Sequence, residues 1–234
     1  MNDYRLEQLR GALQSVRRRI ADAAQSARRS PDDVTLIVVT KTFPASDVRL
    51  LASLSVHDVG ESRHQEALAK QEECSDLALS WHFVGRLQTN KAAAVARYAS
   101  VVHSVDRLAL VGKLADGATR SDRRVGCLIQ VNLHGDDGHG RGGARVGEVE
   151  RLADSVAAAR GLILRGVMAV APLGADPAAA FEQLAEVSQR LRRLHREATW
   201  ISAGMSGDLE TAVVNGATHV RVGGAVLGAR PLLR

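Results

Sequence analysis

One lysine sits where an apolar, β-branched run ends. Val34-Thr35-Leu36-Ile37-Val38-Val39-Thr40 leads directly into Lys41. An amine partly desolvated at a strand mouth loses its preference for the ammonium form, and the neutral amine attacks aldehydes. A lysine at a strand end also snorkels to water, and the run alone leaves both readings open. Two glycine-bearing segments stand far along the chain. Gly204-Met205-Ser206-Gly207-Asp208 follows a short strand and opens a helix, with Ser206 placed as its N-cap. Gly223-Gly224 follows a second strand and opens another. Glycines let a backbone approach closely, and free N–H groups at a helix start attract a phosphate dianion. Such glycines also serve simply as tight turns. Arg221 precedes Gly223 by two residues, so strand alternation puts both on one side. A guanidinium facing a barrel interior needs an acceptor: a pyridine nitrogen is one candidate and an acidic side chain such as Glu61 is another. An amine for an aldehyde, a backbone cradle for phosphate and an arginine for a ring nitrogen fit one ligand between them.

The elements that must position these groups follow from hydrophobic spacing. Leu6, Leu9, Leu13, Val16 and Ile20 predict a leading amphipathic helix within residues 1–30. Then strand-like and helix-like stretches alternate. Val34–Val39 precedes the helix after Pro44; Val56–Gly60 precedes Gln65–Glu73; Trp81–Val84 precedes Asn90–Tyr98; Ser100–Ser104 precedes Arg107–Leu114. Val125–Val131 precedes a Gly-rich loop and Val146–Ala159; Leu164–Val170 precedes Pro177–Glu197; Trp200–Ser202 precedes Asp208–Val214; Thr218–Val222 precedes a short closing helix. Eight such units predict an α/β protein, a single (β/α)8 TIM barrel domain over residues 1–234 with an extra N-terminal helix. An open doubly wound sheet is the alternative. In a barrel, chemistry sits on loops leaving the C-terminal strand ends, where Lys41, Ser206, Arg221 and the glycines fall.

Composition agrees with a barrel of 234 residues: 45% of residues are hydrophobic but only 3% aromatic, so the core is built from Ala, Val, Leu and Ile. No apolar run is long enough to cross a bilayer, and the charged start MNDYRLEQLR is unlike a signal peptide. Cys74 and Cys127 form no CxxC pair and read as reduced thiols of a cytoplasmic protein. Arg17-Arg18-Arg19 and Arg28-Arg29 contribute to the net charge of +5 but read as a solvated helix face. No aromatics interleave them for base stacking, so no nucleic-acid partner is expected. His134, Asp136, Asp137 and His139 share the Gly-rich loop without metal-site spacing, so it reads as a mobile solvated lid. His82, within the third strand, reads as a hydrogen-bonded core histidine.

These residues carry a family resemblance. TKTFPASDV around Lys41, VGESRHQEAL, WHFVGRLQTNK, VHSVD, CLIQVN, LRGVMAVAP and SAGMSGDLETAVVNGATHVRVGGAVLGAR stand in register from about Val34 to Arg230. The sequence resembles the pyridoxal-phosphate homeostasis proteins, which are similar to the barrel half of alanine racemase. The resemblance implies pyridoxal 5′-phosphate (PLP) as cofactor and Lys41 as the Schiff-base lysine. It implies that Ser206, Gly207, Gly223 and Gly224 hold the phosphate and that Arg221 faces the pyridine nitrogen. There are departures. Ser62-Arg63 replaces the family's Asn-Tyr, Arg86 replaces a proline, and Gly224 replaces a Ser or Thr whose hydroxyl would reach the phosphate. Arg63 and Arg86 add positive charge at the mouth, which could compensate or attract another anion.

The resemblance implies storage, buffering or delivery of PLP rather than turnover, with apo-enzymes as possible recipients. Racemisation or lyase chemistry is the alternative. A racemase needs a base on each face of the substrate, and alanine racemases take the second from a tyrosine in a separate domain. Here Tyr4 lies in the leading helix, and Tyr98, ending a barrel helix, is expected on the face away from the mouth. An arginine does not give up its proton, so the ring nitrogen it faces stays unprotonated and the ring is a weak electron sink. Without the second domain a monomer is expected.

Overall fold

The computed structural model describes residues 2–133, 142–172, 174 and 176–229. Within them, β1 (Thr35–Val39), β2 (Asp58–Glu61), β3 (Ser80–Phe83), β4 (Val101–Val105), β5 (Val125–Gln130), β6 (Leu162–Met168), β7 (Trp200–Ser202) and β8 (His219–Val222) pair in parallel, in chain order, into a closed barrel. The intervening helices are α2 (Ala45–Ser53), α3 (His64–Glu73), α4 (Thr89–Val95), α5 (Leu108–Arg120), α6 (Val149–Ala158), α7 (Pro177–Leu194) and α8 (Leu209–Val214), with α9 (Gly224–Leu227) after β8. A leading helix, α1 (Asn2–Ser26), precedes the barrel. The expected (β/α)8 barrel is therefore present. The open-sheet alternative falls to the β1–β8 pairing, which runs from Thr35 opposite His219 to Val38 opposite Val222.

Some boundaries move. The sequence places the end of the helix after β4 near Leu114, yet α5 continues to Arg120. Gly117 lets α5 lie against the Ala93 backbone of α4, so close that a Cβ there would meet Ala93 O at 2.3 Å. β5 ends at Gln130, and Val131 makes only a single bridge to Ala144. His134, Asp136, Asp137 and His139 lie outside the described residues.

Strand alternation sorts β1 and β8 into two faces. Val38, Val220 and Val222 pack outward with Leu9, Leu13, Val16 and Ile20 of α1, the stripe that the spacing predicts. α1 thus covers the seam where the barrel closes, and each fully buried Leu or Ile adds about 1.5–3 kcal/mol. The arginine clusters are not merely a solvated face. Arg17 donates to Leu54 O (3.3 Å), Arg29 to Val213 O (2.8 Å), and Arg19 to both Glu210 (2.5 Å) and Ser206 O (2.9 Å). These contacts clamp the helix onto α2 and α8, and they depend on tertiary neighbours that no local pattern reveals.

A buried ammonium secures the turn after β1. Lys70 of α3 is 5% exposed, and its Nζ donates to Thr40 O (2.8 Å), Glu61 Oε1 (2.7 Å) and Glu66 Oε1 (3.0 Å). The Thr40 hydroxyl donates to the same Glu61 oxygen (2.6 Å), and the Thr42 N–H donates to Glu66. Lys41 is thereby held between two anchored residues, and Thr42 takes a left-handed backbone (φ 69°). Burial pushes the Glu61 carboxyl above its ordinary range, while Lys70 and Thr40 pull it back. Lys70→Met leaves that carboxylate buried without its cation and should lower stability by about 3–5 kcal/mol. Urea unfolding measures this, and adding Glu61→Gln in the same chain should recover part of the loss.

Histidines enter the barrel interior. His82 is buried and hydrogen-bonded, as its strand position suggests; His103 and His219 join it. Burial, the largest influence, holds His103 well below its ordinary value and lowers His219 to about 3. His219 is therefore neutral in the folded chain at pH 5, whereas the unfolded chain protonates it near 6.5. The unfolded state then binds more protons, so stability falls as pH drops below 6.5, and His103 acts in the same direction. The slope from His219 should approach about 1.4 kcal/mol per pH unit. Urea unfolding at pH 7.5, 6.0 and 5.0 checks this, and His219→Gln should show the shallower slope.

Candidate functional site

At the C-terminal end of the strands, a cavity of about 450 Å³ is lined by Lys41, Ser206, Gly207, Arg221, Gly223 and Gly224. All six residues singled out in the sequence meet there. Val39, Phe43, Ser62, Val84, Val170, Met205 and Gly228 complete the lining. Sequence spacing did not single out Val39, Phe43 or Val84, because apolar wall residues look like core residues until the barrel closes.

Lys41 follows β1 by two residues and stands on the turn that Lys70 and Glu66 pin. The opposite wall is made by the loops after β7 and β8. Gly204 turns the first of these with φ 89°, and its carbonyl accepts from Arg221 N (2.9 Å), which joins the loop to β8. A side chain at 204 would collide with Ala212 Cβ at 2.7 Å, so glycine is needed there on both counts. Ser206 is not the cap of α8: Asp208 holds that position and accepts from Met205 N (2.6 Å). The Ser206 hydroxyl instead accepts from Ala225 N (3.4 Å) and so links the two glycine loops. That bond needs α9 beside the β7 loop, a neighbour remote in sequence. Gly223 packs its backbone against Val39 O, whereas the spaces beside Gly207 and Gly224 are open.

Arg221 points into the barrel and is 5% exposed. It donates to Ser202 Oγ (2.6 Å) and Ala169 O (2.9 Å). Glu61, the acidic partner considered for it, is bound to Lys70 on the outer side of β2 and does not serve Arg221. Behind Ser202 a chain of hydrogen bonds crosses the barrel. Ser202 Oγ meets His103 Nδ1, His103 Nε2 meets His82 Nδ1, and His82 Nε2 meets Asp58 Oδ1, each at 2.9 Å.

The two ends decide the protons. A carboxylate only accepts and a guanidinium only donates. With one proton per ring, His82 must donate to Asp58 from Nε2 and accept at Nδ1. His103 must then donate from Nε2 and accept the Ser202 proton at Nδ1. Every bond points from Arg221 toward Asp58, the arrangement in which neighbouring dipoles reinforce one another. Burial lowers Arg221 to about 10, so it remains a cation at neutral pH and a fixed donor at the cavity floor.

Sequence reading missed His103, Ser202, Asp58 and Lys70. A signal existed for two of them. His103 interrupts the apolar VVHSV strand, and Lys70 follows Ala67 by one helical turn on a buried face.

Lys41 and Arg221 are the only titratable side chains among the described residues that line the cavity. Tyr4 is 75% exposed on α1. Tyr98 does not point away from the mouth as its place after α4 suggests. α4 spans only seven residues, about 10 Å, and the Tyr98 ring reaches back to stack on His64 at the start of α3, with centroids 5.8 Å apart. It still does not line the cavity.

With the site described, comparison with known proteins is informative. The family described as "Alanine racemase, N-terminal domain" matches residues 12–231. A pyridoxal phosphate homeostasis protein of Mycobacterium tuberculosis is 41% identical, covering 97% of this chain and 95% of the relative. One from Pseudomonas aeruginosa is 39% identical, covering 93% of this chain and 94% of the relative. PipY of Synechococcus elongatus, solved with PLP bound, superposes with a TM-score of 0.78 at 34% identity, covering 89% of this chain and 100% of PipY. Near full-length similarity to these proteins, on a barrel of the same architecture, means that the chain belongs to the pyridoxal phosphate homeostasis protein family, within the alanine racemase N-terminal domain family.

Proposed function

We propose that this protein binds PLP in the cavity at the mouth of the barrel and acts in its intracellular homeostasis, storing, buffering or delivering it to apo-enzymes. The observation that carries the reading is the meeting of Lys41, the two glycine loops and Arg221 in one cavity. The residues fit the cofactor. Lys41 supplies an amine that can condense with an aldehyde to a Schiff base, with loss of water. Ser206, Gly207, Gly223 and Gly224 offer backbone N–H groups and one hydroxyl to a phosphate. Arg221 offers an N–H to a ring nitrogen. When bound, PLP supplies an electron sink at its ring, and a donor that keeps its own proton limits that sink.

The same lining argues for a carrier rather than a racemase or lyase. Among the described residues Lys41 and Arg221 are the only titratable side chains lining the cavity, and Arg221 stays cationic at neutral pH, so the lining offers one candidate base where racemisation needs two. Purified protein loaded with cofactor should transfer it to an apo-enzyme while leaving the optical rotation of L- and D-amino acids unchanged. Racemisation at rates comparable with transfer would reverse that assignment.

Two variants test the site. Lys41→Ala should lose the visible absorption band of the cofactor adduct, and borohydride should add the cofactor's mass to Lys41 of the unaltered protein only. Gly224→Ser should tighten binding, because a Cβ at 224 meets nothing within 4 Å and the new hydroxyl can reach the phosphate. One such hydrogen bond is worth about 0.5–1.5 kcal/mol, or roughly two- to tenfold in Kd by fluorescence titration.

A further inference from the structure

A second cavity, of about 550 Å³, opens beside the first between the loops that follow β2, β3 and β4. The two share Ser62, which lines both. The walls of the second carry Arg63, Arg86, Lys91 and Arg107, and its floor includes the buried side chains of Phe83 and Leu87. Among the described residues the only carboxylate paired with any of the four cations is Asp106, which holds Arg107. Arg107 also donates to Leu87 O (2.9 Å) and Thr89 Oγ1 (3.0 Å), so it is fixed in the wall. Among the described residues Arg63, Arg86 and Lys91 have no such partner.

The cavity is a built feature of the fold. Gly85 permits the β3 loop to rest directly on the β2 loop, where a Cβ would meet Ser62 O at 2.2 Å. His64, in the same wall, is held below its ordinary pKa by burial first and by the Lys91 ammonium second. It is therefore neutral at pH 7 and adds hydrogen-bonding capacity without charge.

We propose that this cavity is a second anion site, adjoining the cofactor cavity, for a small phosphate monoester. Three cations without carboxylate partners among the described residues line one concave surface, and a monocarboxylate would neutralise only one of them. Guanidinium forks match the oxygens of a phosphate, and a dianion shared among separate cations gains more than a single charge does. A ligand seated there stands next to Ser62 and so to the mouth of the first cavity.

The test uses the holo-protein with its cofactor fixed on Lys41 by borohydride, so that the first cavity is filled. Pyridoxine 5′-phosphate, a phosphate monoester without an aldehyde, is titrated by calorimetry, with inorganic phosphate and succinate as competitors. One equivalent should bind, inorganic phosphate should compete, and Arg63→Ala/Arg86→Ala should weaken binding at least tenfold. Both replaced side chains are exposed, and the double variant should keep the visible band before reduction, which shows that the fold and first cavity are intact. Absence of binding, unchanged binding in the double variant, or competition by succinate but not by phosphate would overturn the proposal. Failure of the cofactor reading has a different signature, the absence of any visible band before reduction.

Discussion

The site depends on the parallel pairing of β1 with β8. That pairing joins the first and last strands of the barrel and sets Ile37 opposite Arg221 and Val38 opposite Val222. Only then does Lys41, just past the end of β1, share a cavity with Gly223 and Gly224. The seam is where the chain has the fewest local means of holding itself, because its two strands are separated by nearly the whole sequence. α1 supplies what local contacts do not. Its apolar stripe covers the outer faces of both strands, Arg5 binds Asp47 and Leu227 O, and Arg19 binds Glu210 and Ser206 O. The leading helix is thus tied to the glycine loops and to the helix that follows Lys41.

Two buried polar systems meet near the mouth, and strand alternation keeps them apart. Outside the strands, the Lys70 ammonium gathers Thr40, Glu61 and Glu66 and fixes the turn that bears Lys41. Inside the barrel, Arg221 heads a hydrogen-bonded line through Ser202, His103 and His82 to Asp58. Each system satisfies charges that would be costly in isolation. The outer one sets where the amine stands. The inner one sets what the floor of the cavity can do, which is to donate a hydrogen bond and not to surrender a proton. On the proposed function, a cavity built this way would hold an aldehyde-bearing, phosphorylated ring rather than drive chemistry on it.

Polarity around the mouth is divided between two adjoining cavities. The first presents Lys41, Arg221 and the backbone of Gly207, Gly223 and Gly224, while the neighbouring one carries Arg63, Arg86, Lys91 and Arg107. Ser62 is common to both, so the loop after β2 is where the two environments meet.

Sequence alone was sufficient for the alternation of eight strand and helix units, for the apolar face of α1, and for singling out Lys41, Ser206, Gly207, Arg221, Gly223 and Gly224, which line one cavity. Each of these has a local cause. Side-chain periodicity, β-branched runs, and glycines at strand ends are all written within a few residues. The tertiary structure decided the rest. It gave Glu61 to Lys70 rather than Arg221, moved Ser206 from a helix cap to a link between loops, and turned Tyr98 back toward His64. It also aligned Asp58, His82, His103 and Ser202 behind Arg221, residues from four different strands. The physical reason is that a strand's period tells which way a side chain points but not what it meets. A buried hydrogen bond or ion pair is chosen by whichever partner the closed barrel brings within about 3 Å, and that distance is not encoded locally.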